Sequence, residues 1–120
     1  MTSILIVDDH PDIRRLLNIT LAKEFEIHEA EDAVGALEAI SRHHPQVVLL
    51  DVMMPGEMSG TQVLEAIKGN PQTADILVAI ISARGQASDL DDARKIGADA
   101  YFVKPFSPMQ VAQWVRSKMR

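Results

Sequence analysis

Charged or polar side chains follow four of the short apolar segments in this sequence, each at the point where the segment ends. These side chains are Asp8 with Asp9, Asp51, Ser82 and Lys104. If they lie together, three carboxylates and one ammonium group sum to −3 + 1 = −2. Like charges held close together destabilise one another, so a cation is expected among them. The ligand atoms are oxygens, which favours Mg²⁺, Mn²⁺ or Ca²⁺ over zinc.

The same side chains suit transfer of a phosphoryl group to a carboxylate. Asp51 is the candidate nucleophile, Lys104 and the metal would neutralise the phosphoryl oxygens, and Ser82 would donate a hydrogen bond to one of them. His10 lies beside the acids but has no serine partner in the sequence, so we interpret it as a surface residue at the start of a helix. The sequence also lacks a glycine-rich phosphate loop, which leaves carboxylate chemistry as the main hypothesis.

Each of these residues also has an ordinary structural interpretation. Adjacent acids before a helix favour its N-terminus. An aspartate after a strand is commonly a cap or turn residue, and Lys-Pro is a common pair in loops. The functional interpretation therefore depends on all four segment ends carrying such residues in one pattern.

Apolar segments alternate with amphipathic ones along the chain. Strands are predicted at residues 3–7, 25–29, 47–50, 76–81 and 99–103. Helices are predicted from Pro11, after caps at Asp32 and Ser59, at about residues 86–96, and from Ser107-Pro108. Five such units predict an α/β fold in which helices cover both faces of a parallel sheet. We expect segment 25–29 at an edge and the most apolar segment, 76–81, at the centre. Ligands bind beyond the carboxyl ends of such strands, where the polar residues would meet.

Helical spacing predicts an inward face for four of these helices. The predicted inward residues are Ile13, Leu16, Leu17, Thr20 and Leu21; Ala33, Ala36, Leu37 and Ile40; Val63, Leu64 and Ile67; and Val111, Val115 and Met119. Gly97 is the expected stop of the fourth helix.

The composition is that of one globular domain over residues 1–120. Hydrophobic residues make up 47% and charged residues 24% of the chain, and the absence of cysteine excludes disulfides and thiolate zinc sites. The net charge of 12 − 17 = −5 argues against nucleic-acid contact by this chain. The longest apolar run, of about six residues, is too short for a membrane span, and no signal-peptide pattern is present, so a cytoplasmic location is the expectation.

Four motifs make the chain resemble the receiver domain of two-component response regulators. They are ILIVDD followed by Arg14, DVMMPG from Asp51, ISA around Ser82, and GADAYFVKPF around Lys104. The resemblance covers essentially the whole chain. It implies the chemotaxis-regulator-like, flavodoxin-like fold: five parallel strands, doubly wound in the order 2-1-3-4-5, with five helices.

The resemblance also implies roles for the site residues. Asp51 would be the phosphoacceptor. Mg²⁺, with Mn²⁺ as the alternative, would be held by Asp9, Asp51 and the backbone carbonyl of Met53, and Asp8 would act through a metal-bound water. Ser82 takes the switch hydroxyl position, and Lys104 would stabilise the phosphoryl group. The Lys104–Pro105 peptide bond is expected to be cis.

By the same resemblance, a sensor histidine kinase or histidine phosphotransfer protein would donate the phosphoryl group. Phosphorylation would shift the surface of the fourth helix, fifth strand and fifth helix, and so control an output domain or downstream protein that the sequence does not identify. Tyr101, at the aromatic switch position, and Trp114 would belong to this output face. Ala100 and Trp114 replace an acid and a base that pair across dimers in one subfamily, which favours a monomer or weak dimer.

Two other functions stay open at this point. A Mg²⁺-dependent phosphatase with an aspartate nucleophile would use similar residues, but it usually needs a second aspartate where Met53 stands. An adaptor domain could use the fold without phosphorylation. The receiver interpretation predicts a protein that is not an enzyme, although it assists its own phosphorylation and dephosphorylation.

Overall fold

The computed structural model describes residues 2–52, 60–83 and 87–119, without the side chains of residues 87–89. Strands and helices alternate along the described chain. They are β1 (Ser3–Val7), α1 (Pro11–Leu21), β2 (Glu26–Ala30), α2 (Ala33–His43), β3 (Val47–Leu50), α3 (Gly60–Lys68), β4 (Leu77–Ser82), α4 (Ala87–Ile96), β5 (Ala100–Val103) and α5 (Pro108–Lys118). The predicted series of βα units is confirmed.

The strands form one parallel sheet in the order β2-β1-β3-β4-β5. In this register Val7 pairs with Leu50, and Leu50 pairs with Ile80. The chain therefore leaves β1 and β3 at the same edge of the sheet, which is also where β4 and β5 end. All the polar residues that follow these strands start from this one edge.

Side chains alternate across the sheet and form two hydrophobic clusters. The α2–α3–α4 cluster includes Leu5, Val7, Ala36, Ile40, Val48, Leu50, Leu64, Ile67, Ile80 and Ala93. The α1–α5 cluster includes Ile4, Ile6, Leu17, Leu21, Val47, Leu49, Ile81, Val111 and Val115. Strands β1 and β3 are buried at every position, which is why they are continuous apolar runs in the sequence.

Several helices begin at side-chain caps or end at a glycine, as the sequence predicts. The Asp32 carboxylate accepts a hydrogen bond from Gly35 N at 2.7 Å at the start of α2, and Ser107 Oγ accepts one from Gln110 N at 3.3 Å at the start of α5. Gly97, with φ of +121°, ends α4 in a conformation that favours glycine. The predicted cap of α3, Ser59, lies outside the described residues.

Two predictions about burial and strand position were wrong. Leu16 is 43% exposed, because Leu17 and Leu21 form the buried stripe of α1 and Leu16 is turned about 100° from Leu17. Strand β4 is interior, but the central strand is β3. Apolarity marks a strand that is covered on both faces, and β1, β3 and β4 all meet that condition, so it cannot rank them.

The strand boundaries differ slightly from those predicted: β2 and β4 each begin and end one residue later, and β5 begins one residue later. No helix in the described part of the chain has the length and apolarity required to cross a membrane.

Candidate functional site

Two buried carboxylates lie side by side at the carboxyl edge of the sheet. Asp8 follows β1 and Asp51 follows β3, and both residues are 2% exposed. Asp51 N donates a hydrogen bond to Val7 O at 2.9 Å, which continues the pairing of β1 and β3 past the end of both strands. Asp9, the next residue after Asp8, has 28% of its side chain exposed and lies at the mouth of the site.

Lys104 joins the two buried carboxylates. Its Nζ lies 2.9 Å from Asp8 Oδ2 and 3.4 Å from Asp51 Oδ2. Burial alone lowers the pKa of Lys104, but the hydrogen bond with Asp8 and the charge of Asp51 outweigh it and hold the pKa above its ordinary value. The lysine is therefore charged at neutral pH and partly compensates the acids.

The backbone around Lys104 is held to the neighbouring strand. Lys104 N donates a hydrogen bond to Ser82 O at 2.8 Å. The Lys104–Pro105 peptide bond is cis, as the resemblance led us to expect. Ser82 itself is fully buried at the end of β4, at the same edge of the sheet as Asp51.

His10 lies closer to the acids than its interpretation as a surface residue implied. Its ring is 60% exposed, but Nδ1 lies 2.9 Å from Asp8 Oδ1 and 3.2 Å from Asp9 Oδ1. Its backbone N also donates to Asp8 Oδ1, at 2.8 Å. The hydrogen bond with Asp8 and the charge of Asp9 raise the pKa of His10 above its ordinary value. The only signal in the sequence is its place directly after the two acids.

Arg14 holds the turn that carries the acids. Its Nη1 donates a hydrogen bond to the backbone oxygen of Asp8 at 2.7 Å, and its Nε pairs with Glu29 Oε1 at 3.1 Å. Asn18 Nδ2 donates to the other oxygen of Glu29 at 2.9 Å. Helix α1 and strand β2 thus fix the turn through a network whose partners are up to 15 residues apart. The motif included Arg14, but the residues alone did not predict its partners.

Gly60 allows α3 to begin against the backbone of the site. A Cβ atom at Gly60 would lie 2.2 Å from Asp51 O and 2.5 Å from Val52 Cα. Both contacts are with backbone, which cannot move without displacing Asp51. Only glycine fits, and the sequence alone did not single it out.

Tyr101 and Trp114 lie on opposite faces of the sheet. Tyr101 packs against the α2–α3–α4 cluster and lines a cavity of about 130 Å³ with Val52 and Thr61. Trp114 packs on the α1–α5 cluster, with its ring edge-to-face with Phe102 at 6.3 Å. Tyr101 and Trp114 therefore pack on the two sides of edge strand β5.

The site residues suit a divalent cation. Asp8, Asp9, His10 and Asp51 each place one ligand atom so that all lie within 4.8 Å of one another. Asp9 Oδ1 is buried and has no hydrogen-bond partner among the described residues, because its approach to His10 lacks hydrogen-bond geometry. Such an oxygen is costly to bury, and a cation would satisfy it. Met53, whose backbone carbonyl was the other predicted ligand, lies outside the described residues.

The fold and site together define a doubly wound α/β protein with an acidic, lysine-bridged site at the carboxyl edge of its sheet. Residues 4–116 match the response regulator receiver domain family, and the chain belongs to that family. It is thus a receiver domain of a two-component response regulator, a class of signalling protein.

Curated relatives and solved structures agree with this assignment. The chain is 42% identical over 118 residues to the transcriptional regulatory protein SrrA of Staphylococcus aureus, covering 98% of this chain and 47% of SrrA. It therefore spans about half the length of the curated relatives it matches. Its fold is similar to chemotaxis protein CheY4 of Vibrio cholerae, with a TM-score of 0.89, 25% identity, and 98% of both chains covered. It is also similar to NtrX of Brucella abortus, with a TM-score of 0.87, 33% identity, and 98% of this chain and 27% of NtrX covered.

Proposed function

We propose that this domain is a phosphorylation-dependent switch with Asp51 as the phosphoacceptor. The observation that supports this most directly is the buried arrangement in which Lys104 Nζ contacts both Asp8 and Asp51. The site then has a carboxylate at the end of the central strand and a fixed cation beside it. Positioning and charge stabilisation of this kind supply most of the catalysis in phosphoryl transfer.

In the proposed step, an oxygen of Asp51 attacks the phosphorus of a phosphohistidine on a sensor histidine kinase or phosphotransfer protein. The O–P bond forms as the N–P bond breaks, and the departing imidazole nitrogen takes a proton from solvent. Asp8 would support the transfer, and its two oxygens accept hydrogen bonds from His10 N and Lys104 Nζ. Hydrolysis of the acyl phosphate, assisted by the same site, would later return the carboxylate.

The metal in this proposal is Mg²⁺, with Mn²⁺ as the alternative. Asp9 and Asp51 would hold it together with the backbone carbonyl of Met53, and Asp8 would act through a bound water. When bound, the ion would neutralise charge on the phosphoryl oxygens. Asp9 Oδ1 has no hydrogen-bond partner among the residues that the structure describes, which supports this assignment, because a carboxylate oxygen is the ligand that Mg²⁺ prefers.

The proposed response to phosphorylation is a shift between two packings of the domain. Ser82 and Lys104 would bind the phosphoryl oxygens, and Tyr101 would move toward the site. The cavity beside Tyr101 leaves room for this movement. The changed surface of α4, β5 and α5 would then control an output domain or a separate downstream protein. We further propose that the domain acts in the cytoplasm, as a monomer or weak dimer.

The acceptor assignment is tested by incubating the protein with Mg²⁺ and a small phosphodonor and then measuring its intact mass. Wild type should gain one phosphoryl group, and Asp51→Asn should gain none. Asp75→Asn, which changes an exposed aspartate of the loop before β4, is the matched control and should behave as wild type. A stable phosphoryl group on Ser82 would refute the mechanism.

The same experiment separates the proposed switch from its two alternatives. A switch retains the phosphoryl group stoichiometrically, whereas a phosphatase releases phosphate over many turnovers. An adaptor domain would take up no phosphoryl group at all.

A further inference from the structure

His10 places a nitrogen atom among the carboxylates of the site. Its Nδ1 lies 2.9 Å from Asp8 Oδ1 and 3.2 Å from Asp9 Oδ1. The side chain makes no capping hydrogen bond to α1, although His10 is the N-cap residue of that helix. The imidazole is therefore directed to the acids and not to the helix that it precedes.

The distance between His10 and Asp9 matches that between two ligands of a common ion. Two atoms each about 2.1 Å from an octahedral ion lie about 3 Å apart when they occupy adjacent positions. The Nδ1 atom of His10 and Oδ1 of Asp9, the proposed direct ligand, lie 3.2 Å apart, which is close to this spacing. Asp9 Oδ1 is also the buried oxygen without a hydrogen-bond partner among the described residues, so it is available to a cation.

The chemical difference lies in the imidazole. Mg²⁺ takes oxygen ligands and keeps several waters, whereas imidazole suits transition-metal dications such as Co²⁺, Ni²⁺ and Zn²⁺. A site made only of carboxylates would show the ordinary preference for hard cations. The addition of one nitrogen should raise the affinity for transition metals selectively.

We propose that His10, after Nδ1 releases to solvent the proton that it donates to Asp8, is a nitrogen ligand of the metal site and makes it a mixed nitrogen–oxygen site that binds transition-metal dications in addition to Mg²⁺. The proposal rests on the metal site of the proposed function. Because the ring of His10 is 60% exposed, it lies where an ion enters from solvent toward the buried carboxylates.

The test compares Co²⁺ with Mg²⁺ on the intact chain, with binding measured by calorimetry and, for Co²⁺, by its visible absorption. His10→Ala should weaken Co²⁺ binding by about tenfold or more, since the loss of even an outer-shell partner costs that much. Its Mg²⁺ affinity should stay within about twofold of wild type, because Mg²⁺ gains little from nitrogen. The absorption bands of bound Co²⁺ should also shift.

Two further variants complete the design. His43→Ala removes an exposed histidine at the C-terminal end of α2 and should leave both affinities unchanged. Asp9→Asn should weaken both metals, because it changes the site itself.

An equal loss of both metals in His10→Ala would overturn the proposal. Unchanged Co²⁺ binding in His10→Ala would also overturn it, whether or not Mg²⁺ binding became tighter. His10 would then be only a hydrogen-bond partner of the acids. If Asp9→Asn binds Mg²⁺ as wild type does, then the metal site of the proposed function is wrong. If Asp9→Asn loses both metals while His10→Ala changes neither, only the role of His10 is wrong.

Discussion

Asp8 accepts hydrogen bonds from three residues of the site, namely His10, Arg14 and Lys104. Oδ1 accepts from the backbone and ring of His10, Oδ2 from Lys104, and the backbone oxygen from Arg14. The residue is 2% exposed, so these contacts stabilise a charge that water does not reach. In the absence of a metal ion, the Lys104 ammonium group places positive charge beside the acids, and the raised pKa of His10 favours its charged form.

Lys104→Ala should destabilise the metal-free protein, because it leaves Asp8 and Asp51 buried without their shared cation. The expected loss is about 3 kcal/mol, the scale for removing one partner of a buried ion pair. Urea unfolding in EDTA measures it, and Lys23→Ala, at an exposed lysine, is the matched control. Mg²⁺ should recover part of the loss; an equal loss with and without Mg²⁺ would mean that the two cations do not compensate the same charges.

Mg²⁺ should itself stabilise the wild-type fold. At about 100 times its Kd, an ion that binds only the native state adds about 2.7 kcal/mol. Asp9→Ala should abolish this response and should also raise the stability of the metal-free protein, by relieving repulsion among the carboxylates. Thermal unfolding with EDTA and with Mg²⁺ tests both effects. A wild-type midpoint that does not rise with Mg²⁺ would contradict the metal assignment.

At the level of elements, a few close packing contacts, hydrogen bonds and ion pairs hold the helices against the site and against one another. Gly60 lets α3 begin against the backbone of Asp51. Arg14 and Glu29 join α1 and β2 to the turn after β1. At the opposite end of α1, Arg116 of α5 pairs with Glu24, with Nη2 to Oε2 at 2.6 Å. The first two of these contacts involve backbone atoms that carry site residues.

Gly60→Ala should destabilise the protein by about 1–3 kcal/mol, as expected for overpacking that meets rigid atoms. It should also slow phosphorylation, because the added Cβ must displace the backbone of Asp51. Gly35→Ala in α2 is the matched control. Its Cβ would meet only the side-chain oxygen of Asp32 at 3.1 Å and Ala30 Cβ at 3.7 Å. Urea unfolding and phosphodonor labelling give the two readouts; a stable, fully active Gly60→Ala would show that α3 does not constrain the site.

The ion pair between Arg116 of α5 and Glu24, which lies between α1 and β2, should contribute stability that depends on pH. The hydrogen bond from Arg116 lowers the pKa of Glu24 below its ordinary 4.5. A carboxyl with a lowered pKa in the folded state stabilises above its unfolded pKa, and this contribution disappears as pH falls through the folded value. Wild type should therefore exceed Glu24→Gln in urea midpoint at neutral pH, and the gap should close in acid. Glu31→Gln, at an exposed glutamate, is the control; a gap that persists in acid would contradict the assignment.

For the whole molecule, edge strand β5 contributes side chains to both faces of the sheet. Tyr101 faces the α2–α3–α4 cluster and Phe102, the next residue, faces the α1–α5 cluster, where it meets Trp114. A displacement of β5 at the site would therefore alter the packing on both faces. This gives a physical route from Lys104, which directly follows the strand, to α5.

Trp114 is the only tryptophan and should report that coupling. Addition of the fluoride–beryllium phosphoryl mimic with Mg²⁺ should change its emission, because the contact with Phe102 shifts with β5. Asp51→Asn should show no change, and Lys104→Ala a reduced one. Emission that stays constant while the mimic binds wild type would mean that the response leaves α5 unmoved.

The sequence by itself determined the elements and the acidic site, because both depend on local information. Continuous apolar runs identified β1 and β3, side-chain caps identified the starts of α2 and α5, and polar residues at strand ends identified Asp8, Asp51 and Lys104. In a parallel sheet the carboxyl ends of all strands lie at one edge, so these residues meet there irrespective of how the helices pack.

Only the tertiary structure decided the features that depend on contacts between distant segments. The rotation of α1 against the sheet exposes Leu16, and the approach of α3 requires Gly60. The pairing of Arg14 with Glu29 brings together α1 and β2, and alternation along β5 separates Tyr101 from Trp114. The proximity of His10 to two carboxylates follows from the turn geometry after β1. Residue type and spacing do not predict these contacts. Each contact depends on how two helices or strands are placed against each other, and their surfaces are similar enough in chemistry to allow several placements.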